Sequence, residues 1–179
     1  MLAQFDFTVY HDVMNEYGDV VGFLSSQGIV TSGLFLLVTI FLVGGILNVF
    51  RYRKDAFNFA PFWTGGATFY GRIFLLTLLF LVLQGVVVFV FYSLLGFLTE
   101  GGLDRFHSEA EIYKRAFIVF PFYVLAAIIL WMIQDYTKVV MVKKELSLWS
   151  SLKEAIVFIR KNFFPSFLLY ALNLSLIHI

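Results

Sequence analysis

Four stretches of the chain carry no charged residue: 20–50, 73–99, 116–134 and 162–179. Crossing the hydrocarbon core of a bilayer takes roughly 20 helical residues at about 1.5 Å each. The first three stretches meet that length, and the fourth meets it only marginally. Lipid cannot satisfy a free backbone, so such runs are helices or strands of a closed barrel. Barrel strands alternate apolar and polar positions, and the run LLTLLFLVLQGVVVFVF does not. The pattern predicts an all-α, polytopic transmembrane helix bundle. Its spans fall at about 29–50, 73–98, 116–135 and 162–179.

Two segments between the spans read as amphipathic interfacial helices, at about 57–71 and 147–161. In the second, Leu146, Trp149, Leu152, Ile156, Ile159 and Phe163 recur at spacings of three and four, which makes one apolar helical face. Lys153, Glu154, Arg160 and Lys161 lie largely off it. Ser147 is the expected N-cap. Such a helix lies in the headgroup region with its apolar face down. In the first segment Pro61 suits an opening turn, and Gly65-Gly66 is expected to weaken the middle. Ala67–Arg72 can be laid on Ala155–Arg160, as in an internal repeat of interfacial helix plus span. Six residues do not separate a repeat from coincidence.

Composition supports the same class. Apolar residues make up 60% of the 179, charged residues 14%, and Phe alone accounts for 23, with a mean hydropathy of +0.87. Soluble domains run near 45–50% apolar and about 25% charged. A soluble domain of this size would leave too many large apolar side chains in water. A soluble globule, a disordered tail and a nucleic-acid binder are excluded. The absence of Cys excludes disulfides and thiolate chemistry. The N-terminus has no basic n-region, and Asp6, Asp12, Glu16 and Asp19 interrupt any signal-peptide core.

The net charge is only +1, but its distribution is strongly uneven. Residues 1–50 hold no Lys or Arg. Segment 51–72 holds Arg51, Arg53, Lys54 and Arg72 against Asp55, and segment 136–161 holds six basic residues against Glu145 and Glu154. The loop at 99–115 is mixed. The positive-inside rule puts 51–72 and 136–161 in the cytoplasm, with the N-terminal segment and the 99–115 loop outside. Trp63, Tyr52, Tyr136 and Trp149 then fall near the cytoplasmic interface as an aromatic belt.

Polar residues within spans are the leading candidate positions, because a polar group at membrane depth is costly unless paired. They are Asn48, Gln84, Gln134 and Asp135. For Gln84, nearest mid-span, an interhelical hydrogen bond of about 0.6 kcal/mol is the expected role, against a substrate or ion contact. Asp135 is expected at the cytoplasmic end of the third span, paired with Lys138. Gly44 and Gly45 lie in the first span, where small residues let helices approach closely. Pro121 is expected to kink the third span. His107, Glu109 and Glu111 share one loop, which is expected to be solvated rather than metal-binding. No phosphate loop, nucleophile elbow or paired-His motif occurs. No catalytic residue, cofactor or metal is expected.

The chain runs from an acidic segment (FDFTVYHDVMNEYGDVVG) to a span with paired glycines (FLVGGILNVFRYRK). FAPFWTGGATFYGRIFLLTLL and VKKELSLWSSLKEAIVFIRKNFF follow. This order resembles a group of bacterial inner-membrane proteins of about six helices, mostly without assigned function. It is similar in style to the membrane domain attached to some glycerophosphodiester phosphodiesterases, a likeness of architecture rather than of chemistry. The resemblance implies a helix before Met1 and at least one more after the last residue. It carries over no catalytic residue, since that chemistry sits in a separate soluble domain. Ser175-Leu-Ile-His-Ile179 also resembles the in-frame translation of a sequencing adapter, so truncation at both ends is expected. The expected function is a non-enzymatic membrane module or scaffold. The alternatives are a transporter or permease component and a membrane-bound lipid-metabolism enzyme. The expected partners are the lipid bilayer and other membrane helices or a second copy, with no nucleic acid.

Overall fold

The computed structural model describes residues 7–51, 59–98 and 109–177, the outermost turns by backbone alone. These residues form five helices: α1 (Phe7–Arg51), α2 (Phe59–Leu98), α3 (Glu109–Lys144), α4 (Leu148–Lys161) and α5 (Phe163–Ile177). At about 1.5 Å per residue, α1, α2 and α3 are roughly 68, 60 and 54 Å long. Three helical segments, Asn15–Arg51, Phe59–Phe97 and Ala116–Lys144, are long and apolar enough to cross a membrane. A fourth is available if α4 and α5 form one span broken by a 99° bend. The architecture is that of an all-α polytopic helix bundle and is consistent with a multi-pass membrane protein. About four-fifths of each apolar window lies on the outside. Phe35, Phe89, Phe97, Phe117 and Phe164 all point outward, so the medium that fits this surface is hydrocarbon.

Packing is concentrated at one end. Ile40, Phe69, Ile73, Leu76, Phe80, Met141 and Val142 form one buried cluster shared by α1, α2 and α3. Toward its N-terminus α1 leaves the bundle. Gly18, Gly22, Gly28 and Gly33 have nothing near the place a Cβ would occupy. Tyr17, at φ −119° and ψ 15°, breaks the helical geometry there.

Two boundaries differ from the sequence expectation. The interfacial helix expected at 57–71 is the opening of α2 itself, which runs unbroken into the span expected at 73–98. Gly65 and Gly66, each costing roughly 1 kcal/mol in an isolated helix, are both buried here against α1. The third span does not stop near 135 but continues to Lys144. Lys143 and Lys144 sit in its last turn, where cations complement the helix dipole. The chain then reverses at Glu145, whose φ of 55° is left-handed.

Ser147 caps α4 with extended geometry, as its sequence position suggests, although its side chain makes no capping bond. One turn on, the buried Ser151 hydroxyl donates to the Ser147 carbonyl at 2.8 Å. The 99° bend at Asn162 sets α4 across the direction of α5.

Candidate functional site

Helices α1 and α2 approach closely at paired glycines. A Cβ on Gly45 would lie 2.7 Å from the Phe62 ring, and one on Gly66 2.6 Å from the Phe41 ring. A Cβ on Gly65 would fall inside the Asn48 side chain, while Gly44 faces the Gly65 carbonyl. Asn48 is only 5% exposed and donates from Nδ2 to the Pro61 carbonyl at 2.7 Å. The rings of Phe41, Phe62 and Trp63 close over the contact with centroids 5.4–6.1 Å apart. Three sequence candidates, Gly44, Gly45 and Asn48, thus converge on one contact. Their partner is Gly65-Gly66, a pair that in sequence alone signals only a weakened helix.

The end of α3 is held by two arginines. Arg51, at the end of α1, donates to the Val142 carbonyl at 3.4 Å and pairs with the Glu145 carboxylate. Arg72 of α2 reaches the Glu145 and Leu146 carbonyls at 3.5 and 3.4 Å. The last carbonyls of a helix lack intrahelical donors and carry the negative end of its dipole, so guanidinium groups suit them. Lys144 pairs with Glu154 across the same corner. The sequence showed these cations only as a topology signal, because the contacts join positions 73 to 94 residues apart.

The third polar group joins α3 to α5. Lys138 lies 2.8 Å from Asp135 Oδ1, and the Tyr170 hydroxyl donates to Oδ2 at 3.2 Å. The Asp135 side chain is 48% exposed and that of Lys138 18%. Asp135 precedes the end of α3 by about two and a half turns, or roughly 13 Å. Tyr170 lies roughly 10 Å along α5 from the bend. The pairing of Asp135 with Lys138 is the one expected from the sequence, and α3 continues as helix for nine residues beyond the carboxylate. Tyr170 gave no sequence signal.

Gln84 donates to the Ala127 carbonyl at 3.4 Å, a long bond joining α2 and α3. Gln134 is half-buried. Pro121 lies within the continuous helical run of α3, between the exposed Phe120 and Phe122. Above Gln84, α2 and α3 line a half-open apolar groove of about 180 Å³ formed by Val87, Phe91, Val119 and Tyr123 among others.

His107, His178 and Gly101-Gly102 lie outside the described residues, as do the side chains of His11, Glu109 and Glu111. No group of three His, Asp or Glu suited to a metal ion occurs among the described residues. No protein-family model, curated protein or solved structure matches the chain. The arrangement joins helices through polar side chains and leaves one carboxylate–ammonium–phenol group partly open between α3 and α5.

Proposed function

We propose that the chain is a non-enzymatic membrane module of a bacterial inner membrane, a scaffold whose cytoplasmic end is a fixed platform. The N-terminal segment lies outside, and 51–72 and 136–161 lie in the cytoplasm. The observation that carries this reading is the clamp of Arg51 and Arg72 on the α3–α4 corner. It ties three helices at the end where the basic residues cluster. Asn48 and Gln84 support it, since each spends its amide on a neighbouring helix. The resemblance to membrane domains that accompany a soluble enzyme domain fits such a platform. The test is reconstitution of the chain into proteoliposomes. Imposed pH and potential gradients should decay as in empty liposomes. Protein-dependent flux would overturn the module reading.

A transporter component is the second reading. It is favoured by Asp135, Lys138 and Tyr170, because ionisable groups within a span mark ion and substrate pathways. Flux abolished by Asp135→Asn would establish this reading in place of the first.

A further inference from the structure

Helix α4 carries two distinct stripes. Ser151, Ala155 and Ile159 are buried toward the bundle. Trp149, Lys153, Ile156 and Arg160 recur at spacings of four, three and four, so they share a different face. Lys153 and Arg160 thus lie beside Trp149 and Ile156, rather than off the apolar face as expected from the sequence. Trp149 is 69% exposed and Ile156 37%, and both cations are exposed. Three other cations near the corner are paired, Lys144 with Glu154, Arg51 with Glu145, and Lys138 with Asp135, while Lys143 and Lys161 are exposed and lie off this stripe. Among the described residues, no carboxylate pairs with Lys153 or Arg160. Trp149, Lys153 and Ile156 also line one shallow depression on the helix surface.

The bend fixes what this stripe meets. With α5 at 99° to α4, an α5 that enters the bilayer along its normal leaves α4 in the plane of the membrane. Trp favours the headgroup level, and Lys and Arg lay their stems on apolar surface while their charged ends reach phosphate. We propose that the Trp149–Lys153–Ile156–Arg160 stripe is a docking surface for the headgroups of anionic phospholipids. The two cations contact phosphate, and Trp149 and Ile156 sit among the first acyl carbons. Charge complementarity selects this occupant, since two unpaired cations beside exposed apolar side chains match a negatively charged leaflet. The inference rests on the membrane-spanning reading above.

The test uses the full chain. Flotation with phosphatidylcholine vesicles comes first, and failure to float would overturn the membrane-spanning reading and this inference with it. Phosphatidylglycerol and phosphatidylcholine are then titrated into the protein in neutral detergent, and bound lipid is counted by native mass spectrometry. Phosphatidylglycerol should bind more tightly. Lys153→Gln and Arg160→Gln should each weaken it about five-fold, and together roughly thirty-fold, from the usual contribution of one cation at a charged leaflet. Lys153→Arg should retain binding. Lys161→Gln, off the stripe, should weaken it less than either stripe substitution. Equal affinity for the two lipids, an equal loss in Lys161→Gln, or displacement of phosphatidylglycerol by millimolar glycerol phosphate would overturn the proposal.

Discussion

The Asn48 amide meets the Pro61 carbonyl at 2.7 Å only because Gly65, one turn beyond Pro61, has no side chain. A buried hydrogen bond and a backbone contact thus depend on the same few residues. Gly65→Ala places a methyl group against the Asn48 stem, which cannot swing away from its own backbone. Overpacking of this kind costs about 1–3 kcal/mol. Gly65→Ala should lower the thermal midpoint in detergent. Gly33→Ala should leave it unchanged or raise it, because Gly33 has open space around it and Ala is the better helix former by about 1 kcal/mol.

Glu145 combines a left-handed backbone with the carboxylate that pairs with Arg51. Glycine relieves about 1–2 kcal/mol of backbone strain, and loss of a largely exposed ion pair costs about 0–1 kcal/mol. Glu145→Gly should therefore be close to neutral, or slightly stabilising, in the wild-type chain. In an Arg51→Gln background the pair is already gone, so the same substitution should stabilise more. Thermal unfolding of the four proteins of the cycle measures the difference. A larger gain in the wild-type background would contradict the pairing.

Asp135 neutralises Lys138, whose side chain is largely covered where α3 meets α5. Asp135→Leu leaves that ammonium unpaired, at a cost of about 2–3 kcal/mol. Gln84→Leu loses only the long bond to Ala127, about 0.6 kcal/mol or less. The double substitution Asp135→Leu with Lys138→Met should recover most of the first loss. Yield and thermal midpoint in detergent should rank Gln84→Leu above the double variant and the double variant above Asp135→Leu.

The helical class and the apolar spans were legible in the sequence because lipid imposes a length and a continuous polarity on anything that crosses it. Ser147 was legible as a cap because capping is local. The end of α3 was not: Asp135 and Lys138 read as the polar edge of a span, whereas backbone hydrogen bonding carries the helix past them to Lys144 whatever the polarity of the side chains. The continuity of α2 was hidden for the opposite reason. Gly65-Gly66 looks like a break until α1 supplies the surface that fills the gap. Arg51, Arg72 and Tyr170 contribute through partners far along the chain, and no spacing rule reports such contacts.

The central claim is a multi-pass module with its basic, clamped end in the cytoplasm. The chain has no Cys, so single cysteines at Asp12, Ala60 and Ser150 can be probed with a membrane-impermeant thiol reagent in intact bacterial cells. The account predicts labelling of Asp12→Cys from outside, and labelling of Ala60→Cys and Ser150→Cys only after the membrane is opened. External labelling at position 60 or 150 would contradict it.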